Sequence, residues 1–448
     1  MINNFSIENF KSFSSGDTMK FAPITLIYGP NSSGKSSIIQ ALLMLKQTIG
    51  KENAQGELES EGDLISLGSF SNFIYSHDDN LMVKFNLQYT TKYDALDFKT
   101  EYSYEMLFGN DEVRSVKLNY DKKGTVGHLS EFEFNCSDRV FYSVKRSRES
   151  SEGFLYRLNK NNLRSSVAKN NRVESRDGYS YNEIDDSLEF PFKIDHKINL
   201  PKSVSNKPSE TMLSSYTSQI LDDIDNLLRN MKYLGPLRSA PKRFYTSEDN
   251  DYKKHEGKGN LGFDLHSATS EIKNVINGYL NRFDIPYKLD TKNIGNSQSG
   301  DIISVELEDK RNNTTVTPKD VGFGIGQVLP IILEGLVSKK HIICVEQPEI
   351  HLHPRLQAHL ADLFIDSSEK NNNQWVIETH SESLMLRIQR RIREKKISKD
   401  LISVLYVDVG NHGAVVRQMS IDDDGDFIEH WPGGFFEERL DEMFGGDA

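Results

Sequence analysis

The 448-residue chain is long enough for two or three domains, or for one core with a long insertion. Its hydrophobic fraction of 37% still supports a packed core, and its net charge of −12 excludes a global pull toward nucleic acid, so DNA contact would need a local basic patch. Two distant cysteines, Cys136 and Cys344, make no disulfide framework; with no leader-like start and no apolar run near the ~20 residues of a membrane span, a soluble cytoplasmic protein is expected.

In chain order, Phe5, Ile7, Phe10 and Phe13 predict short opening strands. Ile24-Thr-Leu-Ile-Tyr28 is compact, apolar and rich in β-formers, and it stops at Gly29, as a buried parallel strand does. The run from Ile38 to Ile49 lacks Gly and Pro and predicts a buried helix. Beyond residue 80 the texture changes. Met82-Val-Lys-Phe-Asn-Leu and Arg139-Val-Phe-Tyr-Ser-Val alternate as antiparallel strands with one wet face do. Between about 145 and 210 polar residues dominate, and a mobile lid or partly flexible loops are expected.

Two amphipathic helices follow, one through Met212, Tyr216, Ile220, Ile224 and Leu228, the other through Ile272, Ile276, Tyr279 and Phe283. Neither sustains the heptads of a coiled-coil arm. The chain thus divides into a first compact part (1–79), a β-rich, partly flexible insertion (80–210), a helical region (211–319) and a second compact part (320–448).

Gly29-Pro-Asn-Ser-Ser-Gly34-Lys35-Ser36 fits the Walker A pattern completely, with a strand before it and a helix after it. Such a loop cradles phosphates on backbone N–H groups. Gly34 lets the loop close, Lys35 reaches the β and γ oxygens, and the Ser36 hydroxyl ligates Mg²⁺. Asn31, Ser32, Ser33 and Ser37 complete the cradle. ATP and Mg²⁺ are the cofactors expected.

A partner acid is needed at the end of a buried strand, where ligands sit in open α/β sheets. His341-Ile-Ile-Cys-Val-Glu346-Gln-Pro-Glu349 supplies one, although the run also reads as a core strand ending in a plain turn. Upstream, Asp320-Val-Gly-Phe-Gly-Ile-Gly-Gln327 is a Gly-rich turn opening a helix, either a second anion cradle or a simple turn. Downstream, Gln374-Trp-Val-Ile-Glu-Thr-His380-Ser381 delivers a histidine that is either structural or functional. The order cradle, acidic strand, histidine strand favours function for all three.

These residues, with Asn9-Phe-Lys-Ser-Phe13 and Tyr233-Leu-Gly-Pro-Leu-Arg238, resemble the ABC-class ATPases of the SMC, RecF and OLD (overcoming lysogenization defect) group. The likeness is greatest to stand-alone bacterial members associated with phage defence, and it covers about 1–75 and 230–448. It implies a P-loop ABC-type ATPase head, α/β with a mixed sheet flanked by helices, that dimerises head to tail. Each ATP would lie between one copy's Walker A loop and the other's signature turn, with Gly324, Gly326 and Gln327 as its contacts. Glu346 takes the Mg²⁺-side acid position, Gln347 that of the usual catalytic glutamate, and His380 that of the histidine sensing the γ-phosphate.

Three departures bear on mechanism. The signature serine is Gly324 here, leaving only backbone N–H groups, and Glu346 replaces the common aspartate. Gln347 can orient water but cannot take its proton, an activity worth ~10²–10⁴ in rate. Glu349 is the candidate substitute, and hydrolysis is expected to be slow.

Other features have plainer readings. His351 and His353 suggest an interface more than a metal site, since no further ligand cluster accompanies them. Arg387, Arg390, Arg391, Arg393, Lys395, Lys396 and Lys399 form either a solvated helix face or a contact for DNA or an acidic partner. Asp422–Asp426 lacks the ligand spacing of a Ca²⁺ loop and reads as an acidic turn. The tail from Trp431 to Phe444 docks on its own domain or on a partner. No nuclease centre is evident.

The function expected is a nucleotide-gated sensor or scaffold in anti-phage defence, controlling a separate effector such as a nuclease. The alternative is a RecF-type repair ATPase that clamps DNA on ATP-driven dimerisation. An importer motor fits the long insertion and the Glu378-Thr-His-Ser turn less well.

Overall fold

The computed structural model describes residues 1–50, 56–90, 112–136, 139–150, 153–159, 189–191, 208–236, 238, 242–246 and 261–432. Much of the lid expected within 145–210, and the tail beyond Pro432, lie outside these residues. Two units divide the chain. One comprises Met1–Phe21, Ser37–Asn230 and Val409–Val415; the other holds Ala22–Ser36, Met231–Asp408 and the chain from Val416 onward.

In the first unit the alternating segments become one nine-stranded sheet. From one edge its order is Glu189–Pro191, Gly153–Leu158, Arg139–Ser150, Val126–Cys136, Val113–Lys123, Val83–Thr90, Ile2–Glu8 and Met19–Lys20, with Glu57–Leu58 added beside Val126–Cys136. Neighbours pair antiparallel, and Phe5 lies opposite Leu87. The opening strands and those of the 80–210 segment therefore share a single sheet. Period-2 patterning explains it: Val83, Phe85, Leu87 and Tyr89 are buried while the residues between them are partly exposed.

The helix Pro208–Arg229 buries Ile220, Leu221, Ile224, Leu227 and Leu228, the helical-period face read from the sequence. Two polar ties bind it to sheet strands. Asp223 accepts from Arg114 Nη1 at 2.8 Å and from the Tyr89 hydroxyl at 2.7 Å, and the Thr217 hydroxyl donates to the Tyr142 hydroxyl at 2.9 Å.

The second unit is built on a six-stranded sheet ordered Met231–Leu234, Ile342–Glu346, Gln374–Glu378, Ile24–Tyr28, Ile402–Gly410 and Gly413–Met419. The first five pair in parallel. The three strands Ile24–Tyr28, Ile342–Glu346 and Gln374–Glu378 are buried at every position, as covering on both faces requires. The helices Phe323–Val337, Pro354–Asn371 and Glu382–Arg393 contribute to the core around them, where Trp375 packs on Phe364 with ring centroids 4.6 Å apart. This is the α/β fold with helix-flanked sheets expected from the sequence.

Between residues 211 and 319 the sequence reading named only helices. The structure adds a four-stranded antiparallel sheet of Phe244–Thr246, Tyr287–Asn293, Ile302–Asp309 and Thr314–Val316. Ile303, Val305 and Leu307 alternate inward with Ser304 and Glu306 between them, while Tyr287–Asn293 buries only Leu289 and Thr291. No helix among the described residues is long and apolar enough to cross a membrane.

Candidate functional site

Register places the site. Glu346 pairs with Glu378 across neighbouring strands, Glu378 with Ile27, and Tyr28 with Tyr406, so the loops after these strands leave one edge of the sheet together. Parallel strands present such an edge at their C-terminal ends.

The loop after Tyr28 has the backbone its glycines predict, with φ of +144° at Gly29, +61° at Ser32 and +106° at Gly34. A Cβ on Gly29 would lie 2.1 Å from the Val407 carbonyl oxygen, so no other residue fits there. Asn31 and Ser32 are exposed at the apex, while Ser33, Lys35 and Ser37 are buried. Lys35 opens the helix Lys35–Gly50 and its Nζ donates to the carbonyls of Gly29 (3.0 Å) and Pro30 (2.6 Å). Burial lowers the pKa of Lys35 and the nearby Glu378 carboxylate opposes that shift.

Glu346 is buried at the end of its strand and accepts from the Tyr233 hydroxyl at 3.0 Å. Gln347 follows in the left-handed region at φ +45°, its N–H donating to the Glu378 carbonyl at 2.7 Å. Glu349 turns to the histidine loop: Oε2 accepts from the Thr379 hydroxyl and Oε1 from the His380 N–H, both at 2.7 Å. Burial raises the pKa of Glu349 against those bonds. Through these bonds the carboxylate holds the His380 backbone; the sequence reading offered it as a proton acceptor. His380 is half-buried, and burial, then Lys35, lowers its pKa, so the neutral imidazole is favoured.

The Gly-rich turn opens the helix Phe323–Val337, with exposed Gly322 as its N-cap. Gly324 packs so closely on the next loop that a Cβ would lie 2.6 Å from the His351 carbonyl oxygen, which accounts for the missing serine. Gly326 and Gln327 are buried, and Gln327 Nε2 lies 3.4 Å from the Arg238 carbonyl oxygen. Among the described residues of the turn, Asp320 and Gly322 are exposed. His353 caps the helix Pro354–Asn371 by accepting from the Arg355 N–H.

Two groups with no role in the sequence reading join the site. Arg238 is buried, donates through Nη2 to the carbonyls of Glu346 (2.9 Å) and Gln347 (3.4 Å), and has its pKa lowered to about 10 by burial, with Glu349 opposing. Glu378 is 3% exposed and within hydrogen-bonding reach of the Ser36 hydroxyl. Both lay in quoted motifs. A carboxylate ending the apolar run Trp375-Val-Ile was the available signal for Glu378.

Among the buried polar atoms without a partner in the described residues, five belong to these segments: Ser33 Oγ, Arg238 Nε and Nη1, Gln327 Oε1 and Glu378 Oε2. Buried groups are rarely left unbonded unless a ligand, ion or water completes them. Donors (Ser33, Arg238, with cationic Lys35) and carboxylate oxygens (Glu346, Glu378) suit a polyphosphate accompanied by a hard divalent cation.

The basic run, on the helix Glu382–Arg393 as far as Arg393 and beyond its end from Lys395 to Lys399, is ion-paired within its own unit. Arg387 and Arg391 pair with Asp362, Arg390 and Lys396 with Glu394, Arg393 with Asp426, Lys395 with Asp424 and Lys399 with Asp423. The acidic turn and the basic run answer one another. Trp431 packs on Tyr28, Tyr406 and Phe427 of its own unit.

Residues 1–385 match the family model described as AAA ATPase domain, in agreement with the ATPase head implied by the motifs. No curated protein matches the chain. Among solved structures it is similar to an SMC head bound to the C-winged helix domain of ScpA, at 13% identity over 94% of this chain and 98% of that one, with a TM-score of 0.44. An SMC head domain from Thermotoga maritima gives 12% identity, 94% and 99% coverage and 0.41. An Smc head with an extended coiled coil, bound to the C-terminal domain of ScpA derived from Pyrococcus furiosus, gives 11%, 94% and 96%, and 0.44.

Proposed function

The chain belongs to the AAA ATPase domain family, and on that premise we propose that it binds and slowly hydrolyses ATP with Mg²⁺ as a nucleotide-gated switch. The observation that carries this reading is the gathering of Lys35, Ser36, Glu346, Glu378 and His380 at one sheet edge, where Glu378 Oε2 and, in the adjoining loop, Ser33 Oγ are buried without a partner among the described residues. Gly29–Ser37 wraps the phosphates and Lys35 exchanges its bonds to Gly29 and Pro30 for phosphate oxygens. Ser36 and Glu346 hold Mg²⁺, which when bound supplies positive charge to the phosphate oxygens. His380, held by Glu349 through its backbone N–H, meets the γ-phosphate as a neutral hydrogen-bonding group. Gln347 orients water without taking its proton, so the ATP-bound state is long-lived.

The downstream role that best fits is control of a separately encoded effector, such as a nuclease, in bacterial phage defence. Its support is the motif resemblance to stand-alone defence ATPases and a state that outlasts binding. The DNA-clamp alternative has less support, since neighbouring carboxylates neutralise much of the charge of the basic run.

Lys35→Ala is expected to weaken ATP binding by about 10–100-fold, the worth of hydrogen bonds to a charged donor. Titration calorimetry with Mg²⁺·ATP measures it, and unchanged affinity would overturn the nucleotide site. Purification with the neighbouring gene's product, with and without ATP, tests the switch. A complex that changes with nucleotide supports it, and no association in either state rejects it.

A further inference from the structure

Glu378 is an acid for which the Walker motifs provide no place. It ends the strand lying between the Walker A strand and the Glu346 strand, at the same register as Glu346. Parallel neighbours lie about 4.8 Å apart, so two carboxylates leave the sheet side by side. Glu378 is 3% exposed, yet Oε2 has no hydrogen-bond partner among the described residues. The carboxylate is also within hydrogen-bonding reach of Ser36, the hydroxyl assigned to Mg²⁺, and interacts with Lys35. A buried carboxylate with a vacant oxygen is costly unless a cation completes it. Lys35 supplies part of that charge, but its ammonium is bonded to the Gly29 and Pro30 carbonyls.

We propose that Glu378 is the second acidic residue of the Mg²⁺ site, sharing the metal with Glu346, directly or through water, and fixing the Ser36 hydroxyl toward it. This rests on the nucleotide-site reading above and deepens it. Mg²⁺ prefers oxygen donors and is commonly held by one or two carboxylates together with substrate phosphates. The pairing also accounts for a glutamate at 346: the two acids converge from neighbouring strands, where a longer side chain reaches past the sheet edge. Metal-free ATP, by contrast, meets Glu378 as a nearby negative charge. The residue should therefore favour the metal-bound nucleotide and disfavour the bare one.

The test separates those two affinities. Binding of a non-hydrolysable ATP analogue is measured by calorimetry across a Mg²⁺ titration and in EDTA, for wild type, Glu378→Gln, Glu378→Asp and Glu346→Gln. Mn²⁺ replaces Mg²⁺ in a parallel spin-resonance titration. Glu378→Gln is expected to raise the metal midpoint roughly tenfold, as loss of a metal-site partner does, while affinity in EDTA holds or improves. Glu378→Asp, which keeps the charge, should fall between Gln and wild type. An unmoved midpoint in Glu378→Gln beside a shifted one in Glu346→Gln overturns this inference and leaves the nucleotide site standing. An equal loss with and without metal shows that Glu378 only supports the loop and overturns it too. Wild-type protein that binds no analogue under either condition sinks both readings.

Discussion

Gln347 stands in the left-handed region with its N–H bonded to the Glu378 carbonyl, so its side chain leaves the loop in a constrained direction. Three carboxylates, Glu346, Glu349 and Glu378, already crowd the neighbourhood, and burial raises the pKa of the latter two. A fourth carboxylate at 347 would add repulsion that bound Mg²⁺ relieves. An amide therefore suits a site that must persist between turnovers. Gln347→Glu is expected to raise turnover by about 10²-fold, the lower end of a positioned base, and to make the protein more dependent on Mg²⁺. Steady-state phosphate release over a Mg²⁺ series measures both. Turnover equal to wild type would show that Gln347 is not what limits hydrolysis.

At the scale of elements, the tie between the helix Pro208–Arg229 and its sheet is the most exacting feature of the first unit. Arg114 and Asp223 are both fully buried, and Tyr89 completes the carboxylate. Burial pushes the Tyr89 hydroxyl well above its ordinary pKa, with Asp223 adding to the shift, so it remains a donor at any physiological pH. Asp223→Ala leaves a buried guanidinium without its counter-charge and should cost about 3–5 kcal/mol. Denaturant unfolding of the variant checks it; a loss under 1 kcal/mol would mean that water reaches Arg114. This tie was illegible in the sequence. Apolar periodicity announced the helix through Ile220, Ile224 and Leu228, but nothing local to Asp223 shows that its partner lies 109 residues upstream. Strands covered on both faces, such as Ile24–Tyr28, were legible because every position is apolar or a β-former. The Tyr287–Asn293 strand was not, since it buries only Leu289 and Thr291, whereas Ile302–Asp309 carries the same alternation as Val83–Thr90. In the site, residues with a known loop pattern (Gly29, Gly34, Lys35, Ser36) could be read directly. Glu378 and Arg238 act through neighbours brought together only by parallel register, which a linear reading does not show.

For the whole molecule, the decisive question is whether ATP assembles two copies. Within one copy the signature helix already touches the acid strand's loop: Gly324 packs on the His351 carbonyl, and Gln327 reaches Arg238, which holds the Glu346 and Gln347 carbonyls. A change at the metal-side loop can thus be felt at the turn offered to a partner. In that turn Gly326 and Gln327 are buried and Gly324 admits no Cβ without a shift, so these positions offer a partner no side chain. A second copy's triphosphate would meet backbone N–H groups at the helix start, where the helix dipole favours an anion. Mg²⁺·ATP should therefore double the 51.1 kDa mass, and slow hydrolysis should let the dimer survive size-exclusion with light scattering. Gly322 allows a clean test, since it is exposed and a Cβ there meets nothing within 4 Å. Gly322→Arg should fold normally and bind ATP, yet stay monomeric and lose turnover by at least about 10²-fold, consistent with a composite site missing one half. Gly324→Ser should not improve on wild type, because its side chain must first displace the His351 carbonyl. Dimers of Gly322→Arg with full turnover would place the nucleotide within a single copy and leave the signature turn a purely internal element.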